Sequence, residues 1–473
     1  MTDRIATILA ALGDRWPVVT GPGWAVVNGD SEALAASLPP ESVDAIVTDP
    51  PSGIGFMGKE WDKDKGGRDK WIAWLAGILR GAMAALKPGG HALVWALPRT
   101  SHWTATAVED AGFEIRDVVM HLFGSGFPKS LDVSKAIDDA AGATRPVVGK
   151  MSAPNRNNRA ITMSDGWRDS PDLTAPATPA AAQWSGWGTA LKPAAEHWIL
   201  ARKPLAGTVA ANMQRFGTGG LNIDGCRIGN KVETWPKTRA HRPGYLAHPN
   251  AKGGDTVGTG AMPSGRWPAH VTLDEEAAQM LDEQSGVLQS GRLSSSYKIR
   301  DRIGQPSKGD ERGRVFGDAD PSCGGASRFF YTAKPARSEK DAGLDHLPLR
   351  TGGEATDREE GSAGLNNPRA GAGRGGGVRN HHPTVKPIDL MRWLCRLITP
   401  PGGVILDLFT GSGTTGVAAI REGFKFIGVE REAEFVDVAV GRLSHATCVP
   451  AQTVSPAETV DPRQMDLFGK RTA

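Results

Sequence analysis

Cysteine is scarce in this chain: among 473 residues there are Cys226, Cys323, Cys395 and Cys448, dispersed and with no pair at C-x-x-C spacing. That argues against a disulfide framework and against a zinc site, and reduced thiols are the expectation. Long apolar runs are lacking as well, since no stretch approaches the roughly 18 residues of a spanning helix. The short run Ile5 to Leu12 could pass for a signal segment. Its Ile5, Ile8, Leu9, Leu12 spacing, with Asp3 and Asp14 on either side, fits an amphipathic helix better, and a cytoplasmic location is expected. Charge of one sign is missing too. Lys plus Arg is 55 and Asp plus Glu is 52, a net +3, so any nucleic-acid contact has to come from local clusters.

What the chain has in excess is Gly (60) and Pro (33), which excludes a helical bundle or coiled coil and predicts many loops. Hydrophobic residues at 39% still allow a core, and the length suggests two or three units. Residues 24 to 120 alternate strand and helix. The apolar run Trp24 to Val27 ends in Asn28-Gly29-Asp30, and the β-branched run Val43 to Thr48 stops at Asp49-Pro50-Pro51. Helical spacing from Arg68 to Leu86 is broken by Lys87-Pro88-Gly89-Gly90, which opens a buried strand, His91 to Leu97. A helix at 100–111 and a strand Phe113 to Val119 follow. Such alternation predicts a parallel sheet covered on both faces.

Between about 138 and 183 the pattern fades into a loop or linker, and Glu196 to Arg202 reads as one more strand. Residues 206 to 380 are irregular, with strand-like fragments near 266–273 and 327–333 and a Gly/Arg-rich tract, Gly361 to Asn380, expected to be mobile. Alternation returns at 388: a helix to 398, the strand Val404 to Leu408, a glycine loop, a helix, the strand Phe424 to Val429, and a helix to about 444. The tail, 448–473, is expected to be disordered. No internal repeat is evident.

Two segments carry chemistry. In Asp407-Leu408-Phe409-Thr410-Gly411-Ser412-Gly413-Thr414-Thr415-Gly416, a strand turns into a helix through G-x-G-x-x-G, and Glu430 ends the next strand 17 positions after Gly413. Glycines there let a ligand approach the backbone beside a helix N-terminus, and the acid can hold ribose hydroxyls. A dinucleotide site, an S-adenosylmethionine site and a tight turn with no ligand all fit this pattern. About 60 residues follow Gly413, enough for one further strand–helix repeat, whereas a dinucleotide fold needs a second half. Asp407 and Phe409 fit the S-adenosylmethionine loop D-x-F-x-G-x-G. The second segment, Asp49-Pro50-Pro51-Ser52, holds a carboxylate and a carbonyl as stiff acceptors at a strand end. They suit a planar amino group such as adenine N6 or cytosine N4 in an extruded base, although D-P-P alone reads first as a strand-ending turn with an N-capping acid.

The two segments, with His382-Pro383-Thr384-Val385-Lys386-Pro387 ahead of the glycine loop, resemble the amino-directed DNA methyltransferases. With D-P-P first and the glycine loop last, the order resembles the circularly permuted beta group of that family. The resemblance covers roughly residues 20–205 and 382–445. It implies an α/β, Rossmann-like S-adenosylmethionine-dependent fold, circularly permuted, with an irregular target-recognition insert. The catalytic half is then 18–205, the recognition region 206–380 and the cofactor half 381–447. It further implies that Asp407, Phe409, Gly411, Gly413, Thr414 and Glu430 surround S-adenosylmethionine and that Asp30 faces its adenine. By the same likeness His382, Thr384 and Lys386 lie near the methionine end, where Lys386 could pair the carboxylate.

Asp49, Pro50, Pro51 and Ser52 then receive the flipped base. Ser52 departs from the family, which carries an aromatic residue there to stack on the base; Phe56 and Trp61 are the candidate substitutes. In the middle region Arg292, Lys298, Arg300 and Arg302, continued by Lys308, Arg312 and Arg314 and interleaved with Tyr297, can line a phosphate backbone; a solvated loop is the equal reading. Phe127-Pro128-Lys129-Ser130 and Trp187 to Pro193 can border the cleft. The implied activity is methylation of adenine N6 in double-stranded DNA, preferred over cytosine N4 because Asp49 leads the motif rather than Ser. A silent DNA-binding relative and a nicotinamide oxidoreductase are the rivals. No metal is required, and no cysteine adjoins a motif as carbon-5 chemistry needs. A homodimer and a cognate restriction nuclease are open.

Overall fold

The computed structural model describes residues 4–126, 130–150, 172–229, 265–289, 323–334, 338–351, 354 and 377–448. The elements begin with α1 (Arg4–Leu12), β1 (Val18–Gly21), β2 (Trp24–Asn28), α2 (Ser31–Ala35), β3 (Val43–Thr48), α3 (Arg68–Ala85), β4 (Leu86–Ala96), α4 (Ser101–Asp110) and β5 (Glu114–Leu122). A small lobe follows: α5 (Val133–Ala140), β6 (Val147–Lys150), β7 (Asp172–Thr174) and α6 (Pro179–Gln183). Then come β8 (Ala195–Arg202), α7 (Val209–Phe216), β9 (Val271–Asp274), α8 (Glu275–Ser285), β10 (Leu288–Gln289), β11 (Cys323–Gly324), β12 (Tyr331–Ala333) and α9 (Ser338–Asp341). The last group is α10 (Ile388–Ile398), β13 (Val404–Asp407), α11 (Thr414–Arg421), β14 (Lys425–Glu430) and α12 (Ala433–Cys448). Among the described residues no helix is long and apolar enough to cross a membrane.

Ten strands form one sheet in the order β1-β2-β14-β13-β3-β4-β8-β5-β9-β12. Strands buried on both faces show why the runs at 24–28, 43–48 and 91–96 are almost continuously apolar. Ala25, Val27, Ile46, Ala92 and Val94 point to the side covered by α1, α3 and α4. Trp24, Val26, Ala45, Val47, Leu93 and Trp95 point to the side covered by α10, α11 and α12. In α1, Ile5, Ile8 and Leu12 are the buried positions, in keeping with the amphipathic spacing.

The sheet is mixed, which corrects the parallel expectation. β8 runs antiparallel to both β4 and β5. The chain leaves β5 at its carboxyl end and the lobe keeps it there, so the return strand has to run the other way. β1 is a further strand, paired antiparallel with β2 through Gly21-Pro22-Gly23-Trp24, where Pro at the second position and Gly23 at φ +81° suit a type II turn. Lys87-Pro88-Gly89-Gly90 ends α3 as expected, but the strand has already begun there. Leu86 pairs with Val43 and His91 with Ala45, so the intervening residues bulge out of register, where a proline is tolerated. β9 and β12, from within 206–380, continue the main sheet beyond β5 rather than forming a sheet of their own.

Candidate active site

β3 and β13 are neighbours, with Ile405 opposite Ala45 and Leu406 opposite Ile46 in parallel register. Their carboxyl ends therefore put Asp49 and the glycine loop side by side, at the edge where open α/β sheets bind ligands. The Thr48 hydroxyl fastens the two ends together. It donates to Asp407 Oδ1 at 2.8 Å and accepts from the Leu408 N–H at 3.1 Å. One cavity of about 630 Å³ runs along this edge, lined at one end by Asp30, Phe409 and Glu430 and at the other by Asp49, His121 and Glu196. That volume suits a cofactor-sized ligand.

At the first end, Gly413 (φ +75°) is the N-cap of α11 and Gly411 has φ +50°. A Cβ on Gly411 would stand 2.7 Å from His382 Nε2, so only glycine fits this loop. The Gly411 N–H donates to Glu430 Oε2 at 2.7 Å, and the Glu432 N–H donates to Glu430 Oε1 at 2.9 Å. Burial raises the Glu430 carboxyl pKa against these bonds. Arg442, buried in α12, clamps the loop from behind, donating to the Ser412 carbonyl (2.6 Å) and to the Thr414 hydroxyl (2.9 Å). Burial pushes the Asp407 carboxyl up to about 7, against the hydroxyls of Thr415 and Thr48 that favour its charge. Asp30 caps α2, its Oδ1 accepting from Glu32 N–H (3.0 Å) and Ala33 N–H (3.2 Å). Phe409 lies 5.8 Å from the Trp74 ring, over which Lys65 Nζ sits at 4.7 Å.

At the second end, Lys386 Nζ lies 3.2 Å from Asp49 Oδ2 and 3.7 Å from Glu196 Oε2. The same ammonium sits 4.0 Å over the Trp95 ring, and the Trp95 indole N–H donates to Glu196 Oε2 at 3.0 Å. Burial raises the Asp49 carboxyl to about 6; Lys386 works in the opposite sense and Glu196 adds to the rise. Burial disfavours the Lys386 charge, but the two carboxylates outweigh it and hold its pKa above the ordinary value. Lys386, expected near the methionine end, lines the same cavity and pairs with Asp49. His382 stays nearer the glycine loop, edge-on to Phe435 at 4.7 Å, and burial with Lys386 and Arg442 nearby pushes it down to about 3. It is neutral, and Thr384 N–H donates to its Nδ1 at 3.4 Å.

The loop after Pro51 is held by Asp62, which is 1% exposed. Its carboxylate accepts from the N–H groups of Ser52, Gly53 (3.3 Å) and Phe56 (2.7 Å), and from the Ser52 hydroxyl at 2.9 Å. Ser52 therefore ties the loop together instead of presenting a ring. Pro50, Pro51, Phe56 and Trp61 all line the cavity.

Most of the expected site residues gather here. Arg292, Lys298, Arg300 and Arg302, like Tyr297 and Phe127 to Lys129, lie outside the described residues. Sequence reasoning missed Glu196, Trp95, His121, Trp74, Lys65, Asp62 and Arg442. Asp62 had a signal, since it closes the stretch that begins at Asp49, and Lys65 follows it in the same loop; the others come from remote elements and had none.

The family model described as DNA methylase, for the N6/N4 group, matches residues 43–129 and 296–441. The chain is 39% identical over 75 residues to a DNA adenine methyltransferase, YhdJ, of Escherichia coli K12, covering 16% of this chain and 26% of that protein. It is 48% identical over 62 residues to the type II methyltransferase M2.DpnII of Streptococcus pneumoniae, covering 13% of this chain and 23% of that one. About a quarter of each relative's length is spanned. Among solved structures, the cytosine-N4-specific PvuII DNA methyltransferase aligns over 89% of this chain and 87% of its own at 14% identity, TM-score 0.40. The M1.HpyAVI–SAM complex aligns over 89% and 98% at 13% identity, TM-score 0.33.

Proposed function

We propose that this chain, whose D-P-P and glycine-loop segments match the N6/N4 DNA methylase family, transfers a methyl group from S-adenosylmethionine to the exocyclic N6 amine of adenine in double-stranded DNA. The observation that carries the reading is the single cavity shared by the glycine loop after β13 and Asp49-Pro50-Pro51 after β3. The order of these segments, with the base site first and the cofactor loop last, supports a circularly permuted, beta-group arrangement. The recognition function would then fall to 206–380, with Arg292, Lys298, Arg300 and Arg302 on the phosphate backbone.

The residues at the first end fit the cofactor. Gly411 lines the cavity with bare backbone beside the start of α11, which admits close approach, and Asp30 and Glu430 are cavity-lining carboxylates suited to the amine and hydroxyls of an adenosine. Asp30, Phe409, Gly411, Gly413, Thr414 and Glu430 would hold it, with Asp407 supporting the loop and His382 and Thr384 toward the methionine end. When bound, the cofactor supplies an electrophilic methyl group.

At the second end, the extruded base offers two N–H donors. Asp49 and the Pro50 carbonyl accept them, turning the nitrogen lone pair toward the methyl group and drawing density onto the nitrogen. Phe56 and Trp61 offer rings for the base face that Ser52 does not. Ionised Asp49 is the stronger acceptor and polarises the amine more, so activity falls as pH drops through about 6. Adenine is preferred to cytosine because Asp49 leads the motif. The similarity to the Escherichia coli adenine methyltransferase supports that preference, and the similarity to M2.DpnII supports a restriction–modification setting.

The test is tritiated methyl transfer to unmethylated DNA by wild type and Asp49→Ala, with digestion to nucleosides. Labelled N6-methyladenine from wild type is expected, with a loss of roughly 10²-fold or more in the variant. No incorporation by wild type on any DNA sinks the reading, and labelled N4-methylcytosine replaces the base assigned.

A further inference from the structure

Glu196 belongs to none of the motifs that built the reading above. It lies near the start of β8, the strand that runs against β4 and β5, and its carboxylate lines the cavity opposite Asp49. The Trp95 indole N–H fixes Glu196 Oε2 at 3.0 Å, and that same oxygen is 3.7 Å from Lys386 Nζ. Lys386 is in turn 3.2 Å from Asp49 Oδ2. One ammonium is shared by two carboxylates, at side-chain exposures of 10% for Lys386, 21% for Asp49 and 25% for Glu196.

This sharing answers a difficulty in the chemistry. Asp49 has to be a strong acceptor for the incoming amine, yet Lys386 on Oδ2 draws on its negative charge. An ammonium this buried is costly to leave without a counter-ion. Glu196 is that second counter-ion, and a small rotation of the lysine chain transfers the contact. We propose that Glu196 is a positioning residue: it takes up the Lys386 ammonium as the target amine arrives, leaving Asp49 the stronger acceptor while the cation stays paired. The inference rests on the methyl-transfer reading.

The charged and titratable groups around the cluster are few. Asp49 faces Lys386 from the segment before α10, Glu196 from β8 and Asp62 from its own loop, with Asp407 at the end of β13 within electrostatic reach. His121 on β5, the cross-strand partner of Glu196, is held toward its neutral form by burial, with Nδ1 3.0 Å from the Thr272 hydroxyl. Burial, with Lys386 and Arg442 nearby, keeps His382 neutral.

The experiment is a carbon-13 carboxyl NMR titration of the full chain, with Asp49→Asn identifying the Asp49 signal, run on wild type, E196Q and K386M. The amide oxygen in E196Q keeps the acceptor for Trp95, so packing is preserved. In E196Q the lysine rests on Asp49 alone and the Asp49 titration moves to lower pH. In K386M it moves to higher pH, by roughly one unit or more. Methyl-transfer profiles of the same proteins show the acid limb moving in the same two directions, and E196Q raises KM for DNA more than it lowers kcat. An unchanged titration in E196Q, or a shift in the same direction as K386M, overturns the sharing of Lys386. Opposite shifts together with no methyl transfer by wild type leave the ion sharing standing and overturn the positioning role along with the methyl-transfer reading.

Discussion

Asp62 shows how one buried carboxylate can hold a functional loop. Three backbone N–H groups and the Ser52 hydroxyl converge on it. In Asp62→Ala those donors lose their partner, and urea denaturation should show a loss of about 1–3 kcal/mol. Ser52→Ala removes one hydroxyl and should cost about 1 kcal/mol or less, with the smaller loss of methyl transfer. The reverse ranking would make the Ser52 hydroxyl a contact to the base. Asp407 gives a pH signature of opposite kind to an ordinary ion pair. Its carboxyl rises from 3.8 to about 7, so between those values the folded chain binds the proton that the unfolded chain has released. This group's contribution therefore falls as pH rises through that window. The urea midpoint of Asp407→Asn, relative to wild type, should climb from pH 4 to pH 7; a flat difference contradicts the burial of an acid there.

At the level of elements, the turn from β13 into α11 allows no side chain at Gly411. Gly411→Ala puts a Cβ against His382 at φ +50°, and the melting shift that S-adenosylhomocysteine gives wild type should vanish. A retained shift would mean that the ligand does not approach this backbone. The same turn illustrates what the sequence makes legible. Strand, glycines, helix and Glu430 are contiguous, so local spacing reveals them, as it does the apolar stripe of α3. The direction of β8 was not legible, because it depends on where the lobe between 130 and 190 leaves the chain. Nor was the partner of Lys386. Its own segment suggested the cofactor end, and only the packing of α10 beneath the sheet brings it to Asp49 and Glu196. Ser52 looked like a loss until Asp62, ten residues on, proved to be its partner.

Across the whole molecule, the two sites exist only because distant segments share one sheet. Asp44 at the amino end of β3 accepts from the Val404 N–H at 2.7 Å, and Thr48 at the carboxyl end holds Asp407, so β3 and β13 are registered at both ends. Cofactor binding should therefore stabilise the fold as a unit. S-adenosylhomocysteine at one hundred times its Kd should add about 2.7 kcal/mol to the unfolding free energy, and NAD nothing. Stabilisation by NAD alone would reverse the ligand assignment.

The insertion of β13 and β14 between β2 and β3 has a consequence for biosynthesis. A nascent chain that has emerged only as far as residue 380 carries open edges on β2 and β3. It also carries a bare apolar face that includes Trp24, Val47 and Leu93, because α10, α11 and α12, which cover that face, come later in the chain. Exposed edges and uncovered faces invite pairing with other chains. The ribosome therefore has to deliver residues 388 to 448 before the sheet can close, and folding is completed by the same stretch that holds the cofactor loop. Chaperone demand should peak while this last stretch is still within the exit tunnel.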